Sequence, residues 1–318
     1  MTLKTQVSNS VKMEPIKFVV GSTSIRNGRI DHVDIGDATI VNCSDCTSLT
    51  QLPLWPNVTE VWCTNCTSLT ELPLWPNVNK VVCSYCTSLS ELPLWPNVTI
   101  VYCHNCTSLT ELPLWPNVNK VDCYNCTSLT ELPLWPNVTE VDCYNCHSLT
   151  ELPQWPNITE VYCYNCSSLT ELPLWPNVTV VYCFDCLSLT ELPLWSNVNK
   201  VYCYYCPLLT ELPLWPNVMV VSCSYCTSLT ELPMWPNITE VYSNLSVKLV
   251  YTLVDPNKTI YSSQSETCCI CMENQKEIIF NPCYHFDTCI KCAEQLKVVS
   301  SKCPICRTRI VSLIKTKN

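Results

Sequence analysis

The chain has 318 residues, 47% of them hydrophobic and 14% charged, which excludes a mostly disordered polymer and predicts enough buried core for two domains. Its formal net charge is -9, and between residues 47 and 240 there is no arginine and only Lys80, Lys120 and Lys200, so no basic stripe exists to meet a nucleic-acid backbone. The segment "MTLKTQVSNSVKMEPIKF" lacks an apolar h-region and no run approaches the roughly 18 apolar residues of a membrane span, so the expectation is a soluble, intracellular, cytoplasmic protein with no membrane partner.

Residues 1–40 hold all three glycines, Gly21, Gly28 and Gly36, between short strand-like runs, and read as an irregular N-terminal cap. From about residue 41 to 240 the sequence repeats with a period of twenty through ten copies. Within one copy, Val58, Val61, Cys63, Cys66, Leu69 and Leu72 fall at positions 1, 4, 6, 9, 12 and 15. Val61 and Cys63 alternate with Trp62 and Thr64, the pattern of a half-buried strand. Pro53 and Pro56, three apart, forbid a regular helix and favour extended geometry. The expected fold is mostly β: a solenoid of about ten rungs roughly 4.8 Å apart, with parallel strands on a concave side and an extended or 3₁₀ convex side. With no glycine in the array, its turns must rest on Asn and Pro. The grammar L-x-x-L-x-L-x-x-C-x-x-L resembles a leucine-rich repeat, and "LTELPLWPNV" is similar to the short repeats of bacterial effector proteins. The expanded cysteine-bearing array also looks like those of large DNA viruses, which would place the chain in a host cytoplasm.

Each copy carries a Cys-x-x-Cys pair, from Cys43/Cys46 to Cys223/Cys226. In a reducing compartment these thiols are expected to face inward as small hydrophobes, close enough between rungs for a disulfide to form under oxidation. Variation among the copies concentrates at outward strand positions, where Tyr162, Tyr164, Tyr182, Phe184, Tyr202 and Tyr204 gather six aromatics on three consecutive rungs. They read as a concave surface for a protein substrate, or else as cross-strand pairs that only stabilise the sheet. Trp55, Trp75 and their equivalents to Trp235 keep one phase and read as convex-side packing, while His104 and His147 read as solvated surface. Ile238, Val241, Ser243, Ser246 and Leu249 continue the phase as a capping half-repeat, giving a solenoid over 41–254 and a polar linker over 255–266.

Over 267–310 the cysteine spacing becomes irregular: Cys268-x2-Cys271, eleven residues, Cys283-x-His285, three residues, Cys289-x2-Cys292, ten residues, Cys303-x2-Cys306, followed by a tail over 311–318. Seven cysteines and one histidine in this order resemble a RING finger of the C3HC4 type, and "CMEN", "FNPC", "KCAE" and "CPICR" resemble the RING of the inhibitor-of-apoptosis family. That resemblance implies a crossed pair of structural zinc sites: Cys268, Cys271, Cys289 and Cys292 on one ion, Cys283, His285, Cys303 and Cys306 on the other. Cys269 is left over, the two-residue spacing favouring Cys268 as ligand. The resemblance further implies a ubiquitin-conjugating enzyme and ubiquitin as partners, with Ile270, Leu296 and Pro304 touching the enzyme and Arg307 as a non-covalent linchpin. Tyr284 stands where the family usually has glycine, and "TRIVSLIKTKN" lacks the terminal aromatic that helps such RINGs dimerise, which leaves the oligomeric state open.

The expected function is therefore a RING-type E3 ubiquitin ligase whose solenoid binds a protein substrate. A non-catalytic leucine-rich-repeat adaptor with a structural zinc module is the alternative, and a metal store using all thirteen Cys-x-x-Cys pairs is a further one.

Overall fold

The computed structural model describes residues 17–19, 25–26, 28–30, 35–233, 235–243, 248–249, 267–281, 285–299, 302–305, 307 and 312–315. Every copy of the repeat folds into one rung of a parallel solenoid. The strand Glu60–Trp62 pairs with Lys80–Val82, and that strand with Ile100–Tyr102, each in register and twenty residues on. Parallel pairing without slippage lines up equivalent residues of successive rungs in columns.

The turns follow from residues that tolerate a left-handed backbone. In Cys63-Thr64-Asn65-Cys66, Asn65 has φ 60°, the third-residue requirement of a type II turn, and the same position reads Asp, Asn or Tyr in all ten copies with φ between 54° and 63°. A second turn follows, closed by Leu69 N–H on the Cys66 carbonyl at 3.0 Å. The proline-bearing segment then runs extended, with no helix among the described residues of the repeats. In the rungs from Trp75 to Trp215 the tryptophan N–H donates to the proline carbonyl two residues back, at 2.9 to 3.0 Å. That is a γ-turn centred on the residue between them, Leu74 in the second copy. Of the two expected convex-side geometries, the extended one is present.

The core is a set of stacked columns. Val58, Val61, Cys63, Cys66, Leu69 and Trp75 are fully buried, and their equivalents repeat this along the array. Neighbouring indoles lie parallel with centroids 5.9 to 6.1 Å apart, and Trp75 Nε1 donates to the Pro53 carbonyl of the preceding rung at 3.0 Å. Asn77 Nδ2 reaches the Pro56 carbonyl at 2.7 Å. Polar bonds thus tie each rung to its predecessor beside the apolar columns, leaving few buried polar groups unpaired.

The ends differ from the middle. Lys17–Val19 pairs in parallel with Ile40–Asn42, and a short hairpin joins Ile25–Arg26 to Arg29–Ile30. Gly28 in that hairpin has φ 75°, and a Cβ there would sit 2.5 Å from Thr50 Oγ1 while its carbonyl accepts Thr50 Oγ1 at 2.8 Å, so only glycine fits. At the far end Val241 and Ser243 stay buried in phase, as the capping half-repeat requires. Lys248–Leu249 pairs with Glu231–Leu232. Ser246 and the linker 255–266 lie outside the described residues.

The tail expected over 311–318 contains a strand, Ser312–Lys315. It pairs antiparallel with Ile278–Asn281, which pairs with His285–Thr288, and on its other side Lys315 bridges Glu240 of the last rung. Phe286 packs against the solenoid core. One 15-stranded sheet therefore runs from the first rung into the zinc-finger region. No helix among the described residues is long and apolar enough to cross a membrane.

Candidate metal centre

Two Cys-x-x-Cys turns of the C-terminal region share one backbone geometry. In the first, Met272 N–H donates to the Cys268 carbonyl at 2.9 Å and Met272 has φ 57°. In the second, Arg307 N–H donates to the Cys303 carbonyl at 2.9 Å and Arg307 has φ 62°. Each turn is closed by a hydrogen bond onto the carbonyl of its first cysteine from the residue four positions on. A third pair, Cys289 and Cys292, sits at the start of the helix Ile290–Val299, whose first N–H, that of Ile290, is capped by Glu277 Oε2 at 3.3 Å.

The ligand atoms of Cys268, Cys271, Cys289 and Cys292 all lie within 4.8 Å of one another. Zinc bonds thiolate sulfur at about 2.3 Å, so a tetrahedron of four sulfurs has edges of about 3.8 Å. The Cys271 and Cys289 sulfurs are 3.8 Å apart. The residues fit the ion in donor type, number and spacing. Two of the thiols are biased towards the thiolate that a metal ligand requires: the amides of Asn274 and Glu273 hold Cys271 down to about 6. Burial pushes Cys268 up, but the amides of Cys271, Cys289 and Ile270 outweigh it and leave that thiol below its usual value. Burial, with the neighbouring sulfurs, pushes Cys292 up to about 12, as expected where sulfurs converge without a cation. Cys269 stands outside the cluster; its N–H donates to the Asp287 carbonyl at 2.7 Å, so Cys268 supplies the thiol.

Of the four residues expected at the second site, His285 and Cys303 are buried, while Cys283 and Cys306 lie outside the described residues. A buried ion pair not foreseen from sequence, Lys276 Nζ to Asp287 Oδ1 at 2.7 Å, lies between the two halves of this region. The side chains are 4% and 3% exposed, so each charge depends on the other. Around the knuckles, Ile270, Pro304 and Arg307 are exposed. Leu296 is half-buried against the small core of Ile278, Phe280, Ala293 and Cys303.

On the solenoid, the six aromatics stand in two stacks on the concave face. Tyr162, Tyr182 and Tyr202 are 4.8 and 4.6 Å apart, and Tyr164, Phe184 and Tyr204 are 4.3 Å apart. The second stack is longer than the sequence reading had it, continuing through Tyr144 and Tyr124 to His104 at 4.2 to 4.3 Å. His104 is therefore not solvated surface: it stacks on Tyr124, lies 3.3 Å from Asp122 and 3.1 Å from Ser84 Oγ. His147 is exposed as expected. Beside the stack, burial and the adjacent Asp122 raise the Asp142 carboxyl to about 7. The repeat thiols are buried and in no disulfide, with burial driving Cys163 and Cys183 well above the ordinary thiol range.

Comparison with known proteins assigns both regions. A model of the zinc finger, C3HC4 type (RING finger), matches residues 264–313, and a model of the BspA type leucine rich repeat region (6 copies) matches over 64–150, 104–206 and 143–247. The mitochondrial E3 ubiquitin protein ligase 1 of Drosophila melanogaster is 46% identical over 50 residues, which are 16% of this chain and 14% of that one. The baculoviral IAP repeat-containing protein 3 of Homo sapiens is 40% identical over 53 residues, 17% of this chain and 8% of that one. The chain thus spans less than a fifth of the length of the curated relatives it matches. Among solved structures, a leucine-rich repeat protein from Eubacterium ventriosum aligns with 65% of this chain and 82% of its own at 15% identity, with a TM-score of 0.41. Because the repeat model covers more than half of its length, the chain belongs to the BspA-type leucine-rich-repeat family, with a C3HC4 RING finger following the repeats.

Proposed function

We propose that this chain is a RING-type E3 ubiquitin ligase in which the solenoid holds a protein substrate and the RING positions a ubiquitin-loaded conjugating enzyme. The observation that carries the reading is the four-thiol cluster set in a RING whose knuckles leave Ile270, Pro304 and Arg307 exposed. Two structural zinc ions, the second on Cys283, His285, Cys303 and Cys306, would supply the rigidity that a segment this small cannot obtain from its core.

In this reading Ile270 and Pro304, with the exposed part of Leu296, form the apolar contact with the conjugating enzyme. The planar fork of Arg307 bridges that enzyme and ubiquitin, holding the thioester in a reactive conformer. A substrate lysine amine then attacks the thioester carbonyl, an amide forms, and the conjugating enzyme's cysteine leaves as thiol. No cysteine of this chain takes part, consistent with four protein ligands and no open position on the metal. The substrate lies against the concave rings of Tyr162, Tyr164, Tyr182, Phe184, Tyr202 and Tyr204, rigid amphipathic area of the kind that anchors interfaces. The site of action in this reading is the cytoplasm.

The test is ubiquitin-chain formation by the full chain with a panel of conjugating enzymes. Wild type forms chains, and Ile270→Ala or Arg307→Ala lowers the rate at least tenfold without releasing zinc. Absence of chains from wild type across the panel would replace the ligase with the adaptor.

A further inference from the structure

A typical rung buries Val58, Val61, Cys63, Cys66, Leu69, Leu72 and Trp75 and leaves one large aliphatic side chain out, Leu74, 57% exposed. The cause is local: the γ-turn closed by Trp75 N–H on the Pro73 carbonyl buries Trp75 and throws its central residue, Leu74, outward. Repetition makes this a ridge. The leucines at period twenty from Leu54 to Leu134 are 55% to 63% exposed on five consecutive rungs, and the ridge resumes at Leu174 and Leu194 after Gln154. The contiguous part is on the order of several hundred Å², the size at which an exposed apolar patch marks an interaction site.

A second column runs beside it. Glu71, Glu91, Glu111 and Glu131 are exposed, each three residues before a ridge leucine in an extended segment, hence within about 10 Å of it. The repeats' only basic residues, Lys80, Lys120 and Lys200, belong to the strands of the concave side, and among the described residues none of these glutamates is in an ion pair. Like charges one rung apart repel, and a cationic partner would relieve them.

We propose that this leucine and glutamate ridge docks a basic amphipathic helix of a partner protein. Spacing fits a helix: the indoles of neighbouring rungs, one residue from the ridge leucines, lie 6.0 to 6.1 Å apart along this stretch, and helix residues four apart rise about 6.0 Å, so one apolar side chain every fourth residue meets one leucine per rung. An extended strand offers a same-face side chain every 6.6 Å or so and drifts by about 2 Å over the four rung spacings from Leu54 to Leu134. Charge selects the basic face. A second copy of the chain would bring the same glutamates against each other, and an anionic membrane surface would meet the same repulsion. Four rung spacings from Leu54 to Leu134 match a helix of about 17 residues.

The experiment titrates full-length protein into a fluorescently labelled 18-residue synthetic peptide carrying one leucine every fourth residue flanked by lysines, read by anisotropy. The amphipathic peptide binds saturably. Its scrambled isomer and its Lys→Glu counterpart bind at least tenfold more weakly. Combined Leu94→Lys, Leu114→Lys and Leu134→Lys weakens binding at least tenfold; Leu→Ser at the same three exposed positions does so in a milder background, with unchanged far-UV circular dichroism showing the fold intact. Combined Tyr162→Ala, Tyr182→Ala and Tyr202→Ala leaves affinity within twofold, separating the ridge from the concave face. No saturable binding, equal binding of the scrambled peptide, or loss with the tyrosine set but not with the leucine sets overturns the proposal.

Discussion

Along one edge of the core, Cys66 donates its thiol hydrogen to the Cys43 carbonyl at 3.1 Å, and the bond recurs rung by rung to Cys226 on the Cys203 carbonyl at 3.0 Å. Position 9 of the repeat therefore needs a group that is small, apolar in bulk and still able to donate, because the carbonyl it meets is buried and, among the described residues, a backbone N–H of its own rung reaches it only at Cys83 and Cys123, at 3.4 and 3.3 Å. Alanine fills less of the space and donates nothing, and leucine would overfill a column stacked at strand spacing. For Cys126, whose Sγ lies 3.1 Å from the Cys103 carbonyl, Cys126→Ala should cost about 1–3 kcal/mol, the penalty for a buried acceptor left bare. Cys126→Ser restores a donor and should recover part of the loss. Urea denaturation of the three proteins decides, and equal destabilisation by alanine and serine would show that volume alone selects cysteine.

At the scale of elements, the rung and the zinc knuckle are stabilised by different means. A rung borrows its core from its neighbours, whereas the RING region has a small core of Ile278, Phe280, Ala293 and Cys303 and a separate cluster of thiols. Removing zinc leaves converging sulfurs whose repulsion the region's own packing cannot offset. A strong chelator should therefore unfold the RING while the solenoid keeps its far-UV signal, and bound metal should be two zinc ions per chain. About ten more would assign metal to the repeat thiols and overturn their structural role. The twenty-residue period made the buried columns legible in the sequence, since each copy confirmed the inward positions of the others. The irregular spacing from Cys268 to Cys292 did the same for the four thiols that converge, Cys268, Cys271, Cys289 and Cys292. What the sequence left hidden depends on contacts across rungs or on turn geometry. The stacking of His104 on Tyr124 needs the in-register ladder, and the exposure of Leu74 needs the γ-turn. The pairing of Lys276 with Asp287 needs the two chain segments folded together. The strand Ser312–Lys315 was read as tail because four residues carry too little alternation to announce a strand without its partners.

For the whole molecule, parallel in-register stacking makes stability a sum over rungs and their interfaces, and the open edge of each strand is covered only by the next one. At the edge of Glu240–Tyr242 the strand Ser312–Lys315 pairs through Lys315 and Glu240, so the RING region meets the array where a further rung would otherwise stack. The array itself should accept the loss of one complete rung. Deleting residues 121–140 joins Lys120 to Val141, and the following "VDCYNC" at 141–146 repeats the "VDCYNC" at 121–126, so the junction keeps every inward position and the Lys120 strand finds an equivalent neighbour. This protein should fold, with its urea m-value lowered by roughly a tenth because one rung in ten no longer contributes buried surface. Deleting only residues 121–130 joins Lys120 to Glu131, puts the proline segment where a strand must pair, and breaks the valine, cysteine and tryptophan columns at that point. That protein should lose the single cooperative transition and split into two weaker ones on either side of the break, read by circular dichroism against urea. If the half-rung deletion unfolds as cooperatively as the whole-rung deletion, the columns are not what holds the solenoid together.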